Sequence, residues 1–126
     1  MYKQFNGNPC GITTGDCVIR AISIAENMPW RHVFLWLCVE GYSDCTFGDV
    51  NKTWESYLKY LGYRRHELPN VVGYTVSKFA DEHKDGTFII GTGTHAVAVV
   101  NGDIIDSWDS SNEIPLYYFT KPNERG

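Results

Sequence analysis

No apolar run in this 126-residue chain approaches the roughly 18 residues of a membrane span, and the opening MYKQFNGNPC has no signal-peptide core. Both absences point to a cytoplasmic protein without a membrane partner. Excess positive charge is missing as well. Eleven Lys and Arg face 15 Asp and Glu for a net charge of −4, and Arg64-Arg65-His66 is a lone short basic cluster, which argues against nucleic acid as the main partner. Cysteine is scarce, four residues spaced Cys-x6-Cys twice over (Cys10 and Cys17, Cys38 and Cys45). That is not zinc-ribbon or knuckle spacing, so no metal and no other cofactor is expected. Without a secretion signal the thiols are expected to be free. No internal repeat, linker or low-complexity tract breaks the chain. With 43% hydrophobic residues and 14% aromatics, residues 1–126 read as one folded domain, with disorder confined to Lys121–Gly126.

What is present falls into two halves. Residues 1 to 15 are turn-rich, with Asn6-Gly7-Asn8-Pro9, Gly11 and Gly15, and read as an irregular lead-in. Residues 16 to 27 then have helical spacing in Ile19, Ile22 and Ile24 or Ala25, behind Asp16 as N-cap. This helix is mostly apolar and should be the central buried one. Pro29 opens a second helix over Trp30–Glu40 with Val33, Phe34 and Leu37 inward, Cys38 in the core and Gly41 as its stop. A third helix is expected over Asp49–Leu61, with Val50, Trp54, Tyr57, Leu58 and Leu61 inward and Gly62 ending it. Residues 63 to 68 suggest a short strand, and Thr75 caps a short helix over Val76–His83.

Past Gly86 the period becomes two. Thr87–Gly91, His95–Val100, Asp103–Trp108 and Leu116–Thr120 read as strands, and Asn101-Gly102 is a strong hairpin signal. Helices first and a small antiparallel sheet second make an α+β fold.

Chemistry concentrates where the first helix begins. A helix start leaves backbone N–H groups unpaired and carries the positive end of the dipole, so a cysteine there can hold a thiolate. Cys17 occupies that place. His32, His66 and His83 are explained by solvated faces, whereas His95 opens an otherwise apolar strand. If Asn101 and Gly102 are the turn, position sums along the hairpin stay at 203. Side chains 95, 97, 106 and 108 then share a face, with Asp106 the diagonal neighbour of His95 and Trp108 opposite it. A one-residue bulge would bring Asp109 round instead. The roles that follow are Cys17 as nucleophile, His95 as acid and base, and Asp106 as the group that orients the imidazole. The Cys17 backbone N–H is one oxyanion donor, and Asn8, Asn6 or Gln4 could supply a second, with Asn8 preferred. Trp108 could shield the ion pair from water.

The segments Gly15-Asp16-Cys17-Val18-Ile19-Arg20-Ala21-Ile22, Thr94-His95-Ala96-Val97-Ala98-Val99-Val100 and Ile105-Asp106-Ser107-Trp108-Asp109 resemble the papain-like cysteine peptidase superfamily. More narrowly, they are similar to small papain-fold proteins of bacteria and their phages, akin to bacteriocin-processing peptidases. The resemblance implies a cysteine-bearing helix packed on a sheet that carries the histidine and the acid. It also implies peptide or amide hydrolysis through Cys17, His95 and Asp106, with a peptide or protein substrate. The chain departs from the family in having no glutamine between Gly11 and Thr14, and in being short for a peptidase with a second lobe. Two other classes stay open. One is a catalytically degenerate, phage-encoded binding module using the aromatics Tyr117, Tyr118 and Phe119. The other is a small metal or redox protein using Cys10 and Cys17.

Overall fold

Asn101 and Gly102 both take positive φ, 51° and 84°, the backbone that a two-residue primed hairpin turn requires. They join two strands whose partners are Val100 with Asp103, Val99 with Ile104 and Ala98 with Ile105, the expected sum of 203. Around this hairpin the computed structural model, which describes residues 1–48 and 50–122, builds an α+β fold with a mixed sheet. In chain order the elements are β1 (Tyr2–Gln4), α1 (Cys17–Glu26), α2 (Trp30–Asp44), α3 (Asn51–Tyr60), β2 (Arg64–Glu67), α4 (Val76–Glu82), β3 (Thr87–Gly91), β4 (Ala96–Val100), β5 (Asp103–Asp106) and β6 (Tyr117–Thr120). The sheet order is β1-β5-β4-β3-β6-β2. The expected helix start at Asp49 and the tail 123–126 lie outside the described residues.

The sheet is larger than the small antiparallel one expected. The supposedly irregular lead-in contributes β1, which pairs in parallel with β5 through Tyr2–Ile104, Lys3–Ile105 and Gln4–Asp106. Three residues before an Asn-Gly-Asn-Pro turn are too few to show a period. The strand exists because it caps an open edge.

Both faces of the sheet are covered, which explains why β4 is apolar at every position. Ala96 and Ala98 face α1, α2 and α3 in one cluster with Ala21, Ile22, Val33, Leu37, Trp54 and Leu58. Val97 and Val99 face α4 in the other, with Val76, Phe79, Phe88 and Ile90. The alanines on the α1 side let that helix approach the sheet closely. Each fully buried Ile, Leu or Phe here stabilises by about 1.5–3 kcal/mol relative to exposure.

Several expectations need correction. Helix α2 runs through Gly41 to Asp44 and ends at Cys45, which takes φ 58°. Gly41 matters for space instead: a Cβ there would lie 2.5 Å from the Thr46 carbonyl oxygen, because the loop after the helix folds back over it. Phe34 and Val50 are exposed rather than inward, and Cys38 is exposed rather than core. On α2 only Val33, Leu37 and Gly41 are buried, so its apolar residues exceed what one face can bury. Of the two places open to Tyr117, Tyr118 and Phe119, a core strand or an interface, they take the strand: they lie in β6, between β3 and β2, with Phe119 buried. Gly91 lets Tyr117 cross the sheet, since a Cβ there would stand 2.2 Å from its ring. His83 is not on a freely solvated face: its ring stacks on Phe79 with centroids 3.8 Å apart, and Nδ1 bonds the Phe79 carbonyl at 2.8 Å. The strand expected from His95 begins one residue later at Ala96, and the one expected to reach Trp108 stops at Asp106.

Candidate active site

Cys17 is the first residue of α1 and half-buried, with Asp16 before it at the N-cap position. Asp16 does not cap the helix with its side chain, contrary to expectation. Its carboxylate, almost fully buried, points away into a polar cluster. Oδ2 accepts from Asn8 Nδ2 at 3.1 Å and from Trp30 Nε1 at 2.9 Å, and Oδ1 faces Arg20 Nε at 3.4 Å. That last contact is close enough for Coulomb attraction but lacks hydrogen-bond alignment, leaving Arg20 Nε without a hydrogen-bond partner. Burial alone would raise Asp16, but the bonds from Asn8 and Trp30 and the charge of Arg20 hold it below the ordinary carboxylate range.

The opposite wall is the turn before β4. His95 is held by its own backbone, since the carbonyl accepts from Thr92 N at 2.9 Å and Thr92 Oγ1 at 3.3 Å. Its side chain is 9% exposed. Nε2 lies 2.6 Å from Asp106 Oδ2, so Nδ1 is the ring nitrogen left for a second partner. Cys17 and His95 line one pocket together with Ala96, and the thiol and the imidazole each shift the other's protonation. Two segments nearly eighty residues apart therefore meet because α1 packs on β4.

Charge follows from this geometry. Burial would push the Cys17 thiol up, but the hydrogen bonds from His95 and Ala96 and the charges of His95 and Arg20 bring it below its ordinary value. Burial would likewise depress His95, yet Asp106 and the Cys17 thiolate raise it to about 9. The two shifts, Cys17 down and His95 up, are the directions that favour a thiolate facing an imidazolium.

Asp106 is buried at the end of β5 and is held by more than the histidine. Oδ1 accepts from the Ser107 N–H at 2.7 Å and Oδ2 from the Ser110 hydroxyl at 2.7 Å. Asp109, the alternative acid, is exposed and bonds Ser111 instead. The turn after β5 carries it away from the histidine. Trp108 lies against His95, with ring centroids 4.8 Å apart, and is 45% exposed, so it stands between the imidazole and solvent.

Asn8 is buried, with Nδ2 bonded to Asp16 and Oδ1 accepting from Cys10 N at 2.8 Å. Asn6 spends its amide on the Ile12 carbonyl at 3.2 Å. A pocket of about 160 Å³ opens at the thiol, walled by Cys17, Val18, Trp54, Gly93, His95 and Tyr117.

Sequence reasoning passed over Arg20 and Ser110. Arg20 had a signal, the i,i+4 spacing from Asp16 on an otherwise apolar helix. It also crosses to the hairpin, donating from Nη1 to Ser107 Oγ at 2.8 Å, and so ties the cysteine helix to the acid-bearing strand. Ser110 lies in a loop and had none. Among the described residues no group of three or more His, Cys, Asp or Glu side chains is placed to hold a metal ion, and all four cysteines are free. Among them, too, no helix is long and apolar enough to cross a membrane. Comparison with protein-family models, with curated proteins and with solved structures finds no match to this chain.

Proposed function

We propose that the protein is a cysteine-nucleophile hydrolase of papain-like type, acting on peptide or amide bonds through Cys17, His95 and Asp106. The observation that carries this reading is the single imidazole that shares a pocket with Cys17 and has its Nε2 2.6 Å from Asp106 Oδ2. The thiolate attacks the substrate carbonyl, and the Cys17 backbone N–H at the helix start steadies the oxyanion. Asn8 is the proposed second donor, through the amide hydrogen it does not give to Asp16. As the tetrahedral intermediate collapses, protonated His95 gives its Nδ1 proton to the leaving amine, leaving a thioester on Cys17. Neutral His95 then takes a proton from water, whose oxygen attacks the thioester and releases the acid. Asp106 holds the ring and balances its positive form throughout. A peptide or protein substrate, a cytoplasmic location and a phage or bacterial setting belong to the same proposal.

A second reading keeps this fold with degenerate chemistry, as a protein-binding module. It is favoured by α2, which leaves Leu35, Trp36, Val39 and Tyr42 exposed. The pH dependence of Cys17 alkylation, in wild type and in His95→Ala, separates the two. A hydrolase site alkylates well below the ordinary thiol range of about 8.5 and loses this with His95→Ala. A Cys17 that reacts as an ordinary thiol in both proteins overturns the catalytic reading.

A further inference from the structure

Behind the cysteine lies a second and larger concavity, about 340 Å³, between the start of α1 and the face of α2. Gly15 and Val18 line both it and the thiol pocket, so the two spaces adjoin at these residues. At Gly15 φ is +67° and a Cβ would meet nothing within 4 Å, so no neighbouring group crowds this residue.

The walls are apolar. Trp30 and Phe34 stack with centroids 5.3 Å apart on one side, and Ile19, Leu37 and Phe47 complete the groove. The charged group at its end, Asp16, is already engaged by Asn8, Trp30 and Arg20, so no buried charge is left asking for a cationic ligand. Phe34, although stacked on Trp30, and Phe47 remain 43% and 78% exposed, an apolar lining left open to solvent.

We infer that this groove is the specificity pocket of the thiol site, taking one bulky apolar side chain of a peptide substrate whose carbonyl lies at Cys17. The inference rests on the hydrolase reading above. Adjacency to the thiol pocket at Gly15 and Val18 selects the occupant: a side chain seated in the groove would extend from a substrate whose reacting carbonyl lies in the neighbouring pocket. The volume suits a single Leu, Met, Phe or Trp side chain rather than a helix or a second protein surface. Burying such a side chain selects it over glycine, because the apolar area leaves water only in the matched substrate.

The test uses two sets of peptidyl chloromethyl ketones, N-acetyl-X and N-acetyl-X-Gly, with X as Gly, Glu, Leu or Phe, and iodoacetamide as reference. In each case the thiolate sulfur forms the bond to carbon as halide leaves, and labelling is read at Cys17 by peptide mass spectrometry because Cys10, Cys38 and Cys45 are also exposed. The readout is the peptidyl rate divided by the iodoacetamide rate in the same protein. In wild type the Leu and Phe reagents of one set should exceed Gly and Glu by more than about ten-fold. Cys38→Trp, which fills the groove, and Phe34→Asp, which charges its wall, should each bring that preference close to parity. Both positions are exposed, so neither change enters the core. A wild type without preference, or one whose preference both variants leave intact, overturns the pocket while the hydrolase reading stands. A Cys17 that labels no faster than Cys10 with every reagent, iodoacetamide included, removes the hydrolase reading and the pocket with it.

Discussion

Replacing Asp106 by asparagine keeps the shape of the side chain and removes its charge. In the wild type the carboxylate sits 2.6 Å from His95 Nε2, and this contact, together with the Cys17 thiolate, lifts His95 to about 9 against the effect of burial. A hydrogen bond to a charged group contributes about 1.5–3 kcal/mol, and about 1.4 kcal/mol corresponds to one pKa unit, so D106N should lower the His95 midpoint by about one to two units. The direction follows because the imidazolium loses its anionic partner and releases its proton at lower pH. Cys17 moves the other way, since its thiolate then faces a less often protonated ring. The window in which thiolate and imidazolium coexist narrows from both ends. Stability follows the same sign: the raised His95 contributes fully below its unfolded value of 6.5 and is lost as pH rises through about 9. In D106N that loss comes at lower pH. The assay is an NMR titration of the His95 ring protons beside the pH profile of Cys17 alkylation. Asp109→Asn is the control, because Asp109 is exposed and bonded to Ser111, and should leave both curves in place. A His95 midpoint in D106N that stays at the wild-type value, or rises, refutes the assignment of Asp106.

Ser110→Ala removes the buried hydroxyl that donates to Asp106 Oδ2 at 2.7 Å. It should cost about 1–3 kcal/mol in chemical denaturation. Oδ2 then loses a competing donor and is left to His95, so the His95 midpoint should shift up, opposite to D106N; a downward shift would contradict the network as described. Arg20→Met leaves the Asp16 carboxylate buried without its cation and should cost about 3–5 kcal/mol, with the Cys17 alkylation midpoint moving up. Adding Asp16→Asn to Arg20→Met should recover part of the loss, and strictly additive denaturation energies would show that the pair is not coupled.

The second half of the chain was the more readable half. Asn101-Gly102 can be read because few residue pairs accept positive φ twice in succession, and with the turn placed every partner along the hairpin follows by counting. Helix α2 is the counterexample. Its apolar residues surround the helix, so periodicity has no face to choose, and Phe34 and Cys38 look as inward as Val33 and Leu37. Gly41 misleads for a related reason: glycine marks both a helix end and a close approach, and sequence alone does not say which. Strand β1 leaves almost no trace, since three residues held by an edge need neither propensity nor alternation.

The site divides along the same line. His95 and Asp106 could be placed together from one hairpin register because their separation is local, and the register carried the argument even though the paired ladder stops at Ala98–Ile105. Cys17 could be singled out because a helix start is chemically distinct from the rest of a helix. Joining it to His95 required knowing that α1 crosses β4, and the alanines at 96 and 98 that admit the helix are legible only after the crossing is known. The polar cluster beneath is harder still. Asp16 looks like an N-cap, and an N-cap aspartate normally satisfies helix N–H groups; here those bonds go elsewhere and the carboxylate organises Asn8, Trp30 and Arg20. A buried carboxylate committed to Asn8, Trp30, Arg20 and the Thr14 N–H fixes where α1 begins, and with it where the sulfur stands relative to the ring. The stability of the Asp16–Arg20 pair and the reactivity of Cys17 are therefore coupled quantities. A substitution that loosens the first should be visible in the second before the protein unfolds.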